Sequence, residues 1–107
     1  ETDWCFRAKR AGWGITCVPS AQIVHLAGQS TSQFREQMFV ALWRSRLRLF
    51  EKHYGRAYNA AVRLILRAGI AKRVRQVRRA LAEHTLETGV AQKQLDAYHS
   101  VLKMAHG

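Results

Sequence analysis

Apolar positions recur along this chain with two different periods, and the change from one to the other falls near residue 32. Before it the apolar runs are short. Residues 3–11 predict one helix, with Asp3 at its positive N-terminal end, Arg7 four residues on, and Lys9 and Arg10 in the last turn. Gly12 stops that helix by adopting the left-handed conformation, which lets Trp13 fold back on the last turn. Residues 15–18 then predict a short strand closed by Pro19. Residues 22–26 predict a second, on which Ile23 and His25 share one face and Val24 and Leu26 the other. A polar loop follows from Gly28 to Thr31.

Beyond residue 32 the period is helical. Phe39, Trp43, Leu47, Phe50 and Tyr54 recur at spacings of four, four, three and four, a stripe that ends at Gly55 and leaves Arg44 and Arg48 on another face. A second helix is predicted over residues 57–68, with Tyr58, Ala61, Ile65 and Ala68 along its inner side and a break at Gly69. Ile70, Val74, Val77 and Leu81 form a third stripe, a narrow apolar seam in a broad cationic surround. After a break around Thr88 and Gly89, Ala91, Leu95, Tyr98 and Leu102 repeat the pattern, so the last two helices are expected to pair as an antiparallel hairpin.

Composition bounds this picture. The chain has 107 residues, 48% of them hydrophobic, which fits one small globular domain rather than a disordered segment. Its most apolar run, residues 60–71, is interrupted by Arg63 and Arg67 and cannot comfortably span a bilayer. No secretory leader pattern opens it. Cys5 and Cys17 have neither the density of a disulfide scaffold nor the spacing of a zinc site, and read as buried free thiols in a reducing compartment, with a single bridge between them left open.

The formal charge of +11 changes the picture more, because of where it sits. In residues 35–79 thirteen Lys and Arg stand against two acids, a local +11, whereas residues 1–34 carry +1 and residues 80–107 carry −1. A field so concentrated attracts phosphates or anionic headgroups. Arg44, Arg48, Lys72, Arg73, Arg75, Arg78 and Arg79 are the candidate residues for docking on an anionic membrane surface. The plainer alternative is a solvated helix face that keeps the domain soluble.

The candidate chemistry lies in the first 30 residues. Three elements follow in register: Glu1 and Asp3 as an acidic motif; Cys5, Arg7, Ala11, Gly12 and Trp13 as Cys-x-Arg-x-x-x-Ala-Gly-Trp; and Pro19, Ala21, His25, Gly28 and Ser30 as Pro-x-Ala-x-x-x-His-x-x-Gly-x-Ser. This order resembles the closing third of the catalytic domain in family 2 glycosyltransferases, inverting enzymes of the GT-A fold. Residues 44–55, Arg-Ser-Arg-Leu-Arg-Leu-Phe-Glu-Lys-His-Tyr-Gly, look like the post-catalytic helix of bacterial members that decorate cell-surface polysaccharides.

The resemblance implies an α/β, GT-A-like C-terminal segment, mostly helical with two short strands, in which residues 1–31 close the catalytic domain and residues 32–107 form a helical extension. It implies a C-terminal fragment, inactive alone, of an enzyme that moves a sugar from a nucleotide-sugar donor to a glycan or lipid-linked acceptor. Its location would be cytoplasmic and peripheral on the inner membrane face. By position Glu1 is the base, Asp3 the further acid and His25 the residue facing a divalent cation, Mn or Mg, whose Asp-x-Asp ligands this chain lacks. Family members usually have Asp where Glu1 stands, a difference of one methylene. Trp4 beside the acids would stack on an acceptor sugar, with Arg7 on the same substrate side.

Simpler roles stand beside these. Asp3 can be a helix N-terminal charge paired with Arg7, His25 a hydrogen-bonded residue at a strand end, and Trp4, Trp13 and Trp43 core or interface aromatics. Exposed apolar area is expected around Trp4, Ile15 and Val24. Two rival functions come from other classes. One is a basic helical nucleic-acid-binding module using Lys72 to Arg79, against which counts the lack of a recognition-helix pattern or stacking platform. The other is a homodimerisation module burying the stripe from Ala91 to Leu102.

Overall fold

The computed structural model describes residues 2–24 and 34–106, and its regular structure consists of four helices: α1, Thr2–Arg10; α2, Arg35–His53; α3, Arg56–Ala82; and α4, Thr88–His106. The chain divides into two compact units, Glu1–Ser30 and Thr31–Gly107.

In the first unit α1 forms where its charges favour it, and it ends as the sequence requires. Gly12 takes φ +85°; its N–H donates to the carbonyl of Lys9 at 3.2 Å and that of Trp13 donates to Ala8 at 3.0 Å. This pair of bonds caps carbonyls that the end of the helix leaves open. The chain then runs without regular structure through residue 18, turns at residues 19 and 20, and continues irregularly to residue 24.

Here the structure corrects the expected fold class. No strand occurs among the described residues, so the described chain is all-helical rather than an α/β, GT-A-like segment. Residues 15–18 and 22–24 alternate as strands do, but alternation supplies only one half of a ladder. Their backbone groups need a neighbouring strand, and none is present among the described residues. Residues 25 and 26 of the second predicted strand lie outside the described residues. The thiols also differ from expectation: both are free, but Cys5 is half-buried and Cys17 exposed.

In the second unit α4 packs against both α3 and α2, whereas α2 and α3 touch each other sparsely. The core is Leu47 of α2, Leu66, Ile70 and Val74 of α3, and Val101 and Ala105 of α4, flanked by Phe39, Trp43, Val62, Leu95 and Tyr98. Val101, at 0% exposure, is its centre. α3 and α4 form the expected antiparallel hairpin: the Arg63 guanidinium, near the start of α3, donates to the Met104 carbonyl near the end of α4.

Two expectations fail within the helices, for related reasons. α3 continues straight through Gly69 instead of breaking there. One glycine costs a helix about 1 kcal/mol, and a 27-residue segment rich in Ala, Leu, Arg and Lys outweighs it. A continuous helix also fixes one phase for both halves. Val62, Leu66, Ile70, Val74 and Val77 then form the inward stripe, and Tyr58, Ala61, Ile65 and Ala68 turn outward and are exposed. In α4 the buried line is Ala91, Ala97, Val101 and Ala105, while Leu95, Tyr98 and Leu102 straddle it half-buried. Small side chains at the seam let α4 approach two neighbours at once.

The turn between α3 and α4 is built like the end of α1, but without glycine. His84 holds φ +56°; its N–H donates to Leu81 at 3.2 Å, and Thr85 donates to Ala80 through both its N–H and its hydroxyl at 3.0 Å. The break therefore falls at residues 83–87, and Thr88 and Gly89 open α4.

Candidate functional site

In the first unit, α1 sets the geometry of the candidate catalytic residues. Asp3 stands in the first turn and Arg7 one turn on, with Arg7 Nε 3.2 Å from Asp3 Oδ2. The plain pairing predicted from their spacing is therefore present. Trp4, beside Asp3, is 64% exposed. With Arg7, Ala11, Trp13 and Ile15 it lines an open cleft of about 740 Å³. Ile15 and Val24 are exposed as expected. Glu1 and His25, assigned as base and metal-facing residue, lie outside the described residues.

Among the described residues no three His, Cys, Asp or Glu side chains group as ligands for a cation. Asp3, which the resemblance makes the further acid of the catalytic motif, has the Arg7 guanidinium against it.

The seven candidate surface cations do not gather into one patch. Arg44 and Arg48 border a shallow depression with Glu51, Arg63 and Met104. On α3, Leu64, Ala68, Lys72, Arg75 and Arg79 follow at spacings of four, four, three and four and are all exposed, so one outward stripe is apolar in its first half and cationic in its second. Arg79 pairs with Glu83 at 2.7 Å, while Lys72, Arg75 and Arg78 make no ion pair among the described residues.

Beside that stripe an apolar groove of about 430 Å³ lies between α2 and α3. Trp43 and Phe50 of α2 and Ile65, Gly69 and Ile70 of α3 line it, and Arg46 and Arg73 are its charged residues. The Arg46 guanidinium carbon lies 5.3 Å from the centre of the Trp43 ring, a cation–π contact that fixes its place. Of the seven cations predicted from sequence, only Arg73 belongs to this groove. Arg46 went unassigned, although its position three residues after Trp43 placed both on neighbouring turns of one helix face.

The corner between α2 and α3 was also missed. Asn59 Nδ2 lies 3.0–3.2 Å from the carbonyl oxygens of Phe50, Tyr54 and Gly55, among which its two N–H groups donate, closing the end of α2 onto the start of α3. Tyr54 and Tyr58 stack beside it with ring centres 4.3 Å apart.

No helix among the described residues is long and apolar enough to cross a membrane. Comparison with known proteins finds no matching family model, no matching curated sequence and no matching solved structure.

Proposed function

We propose that this chain supplies the acceptor-side residues of an inverting, nucleotide-sugar-dependent glycosyltransferase acting on a glycan or lipid-linked acceptor. The observation that carries the reading is the register of the acidic motif, the Cys-x-Arg helix and its Ala-Gly-Trp ending, followed by the Pro-x-Ala and His-x-x-Gly-x-Ser elements. The local geometry of α1 supports it: Gly12 holds the left-handed conformation that this ending needs, and Trp4 is left open beside Asp3.

In the proposed reaction the Glu1 carboxylate takes the proton of the acceptor hydroxyl as its oxygen attacks the anomeric carbon. The bond from that carbon to the nucleoside diphosphate breaks with inversion. Asp3, tied to Arg7, belongs to the same acidic motif and holds the first turn of α1 to the second. Trp4 offers the acceptor ring a stacking face. His25 and a divalent cation would neutralise the departing diphosphate, together with an Asp-x-Asp that these 107 residues do not contain.

The test is turnover of a nucleotide-sugar panel, with Mn or Mg, by the protein that carries both this chain and the donor-binding half. Glu1→Gln is expected to abolish transfer while donor binding survives, and His25→Ala to weaken metal dependence. Transfer by residues 1–107 alone, or wild-type behaviour of both variants, would refute the assignment.

A further inference from the structure

We propose that the groove between α2 and α3 binds the acyl chain of an anionic membrane lipid, with the lipid phosphate held by Arg46 and Arg73. The inference is independent of the glycosyltransferase reading.

Three observations converge on this occupant. The first is the chemistry of the groove: aromatic and aliphatic side chains line it, its charged residues are both arginines, and no acid is among them. A ligand that suits such a lining is largely apolar and carries an anionic group for the arginines. The volume of about 430 Å³ is that of a small-molecule pocket.

The second is Gly69. It lies in the middle of α3, where glycine weakens a helix, and a Cβ there would meet nothing within 4 Å. The fold therefore does not need glycine at this position. It faces the groove, where a missing side chain leaves space for a ligand to approach the helix backbone.

The third is the surface next to the groove. Ile65 is 71% exposed and shares the first half of α3 with exposed Leu64 and Ala68; beyond them Lys72, Arg75 and Arg79 continue the outward stripe. An anionic bilayer meets both halves of such a stripe, the apolar residues settling among headgroups while each nearby cation adds about 1 kcal/mol. A soluble acidic peptide would satisfy the cations but leave Leu64 and Ile65 in water.

The experiment uses the full 107-residue chain with vesicles of phosphatidylcholine alone, or of phosphatidylcholine mixed with phosphatidylglycerol. Flotation reads binding. Quenching by bromine-labelled phosphatidylglycerol acyl chains, in a Trp4→Phe, Trp13→Phe background, reads contact with Trp43. Binding is expected only with phosphatidylglycerol, accompanied by quenching of Trp43. Gly69→Leu, which fills the groove, and the double change Arg46→Gln, Arg73→Gln should each weaken it about tenfold. Ile65→Gln is the second groove variant should Gly69→Leu fail to fold by circular dichroism.

Unquenched Trp43, or groove variants that bind as wild type does, would reduce the association to surface charge and overturn the proposal. So would competition by free glycerol phosphate as effective as that by the lipid. Tighter binding to duplex DNA or to an acidic peptide than to these vesicles would overturn it too, as would a dimer in light scattering that Gly69→Leu dissociates.

Discussion

Arg63 Nη1 donates to the carbonyl oxygen of Met104 at 2.7 Å, and the other arm of the same guanidinium pairs with Glu51. One side chain thus joins α2, α3 and α4, and it does so at the last turn of α4, where unsatisfied carbonyls favour a cation. Arg63→Ala should lower stability by about 1.5–3 kcal/mol, because it leaves a partly buried carbonyl without its donor. Glu51→Gln should cost less than about 1 kcal/mol, since the Glu51 side chain is half exposed and the amide still accepts a bond. Urea denaturation of the two variants checks the ranking, and equal losses would place the effect in the ion pair instead.

Asn59 sets the two N–H groups of its amide among three carbonyl oxygens at the α2–α3 corner. Asn59→Ala should cost about 1–2 kcal/mol. Asn59→Asp should be at least as damaging, because it turns an acceptor oxygen toward three others. Thermal melts of both, followed by circular dichroism, test this; an Asp variant as stable as wild type would contradict it.

The turn after α3 holds a β-carbon in the left-handed region at His84. Replacing it with glycine, His84→Gly, should raise stability by up to about 1 kcal/mol, and His84→Val should lower it, since a branched side chain suits that conformation least. Urea midpoints of the pair, measured against His84→Ala, give the comparison.

Gly69→Ala should stabilise the chain by about 0.5–1 kcal/mol, because the added methyl meets open space and the unfolded chain loses freedom. Calorimetry should show a higher melting temperature. A lower one would mean that the helix depends on glycine for packing.

The helices of the second unit were legible in the sequence because burial on one side imposes the period directly. The stripe from Phe39 to Leu47 lies on or beside the core, and Ile70, Val74 and Val77 are buried as read. The outward turn of Ile65 was not legible, because glycine at position 69 is locally a helix breaker and only the whole segment outweighs it. The strands failed for the converse reason: alternation at 15–18 is a local signal, while a strand is a relation to a neighbour. Of the candidate site, the Asp3–Arg7 pair and the Gly12 stop could be read because both are set within one or two turns. The groove is a relation between two helices, which no spacing within either helix encodes, and so Arg46 was unassigned and Gly69 read only as a helix break.

The lengths of the helices carry one more consequence. α3 has 27 residues and extends about 40 Å, whereas α2 and α4, with 19 each, extend about 28 Å. α2 turns back along α3 from its N-terminal end and α4 from its C-terminal end, so the two overlap only along the middle of α3, where Leu66, Ile70 and Val74 meet Val101 and Ala105. The unit is a splice more than a bundle of equal rods, and either end of α3 can fray with one neighbour while the overlap holds. Amide exchange should therefore be slowest between about residues 63 and 74 and faster toward each end.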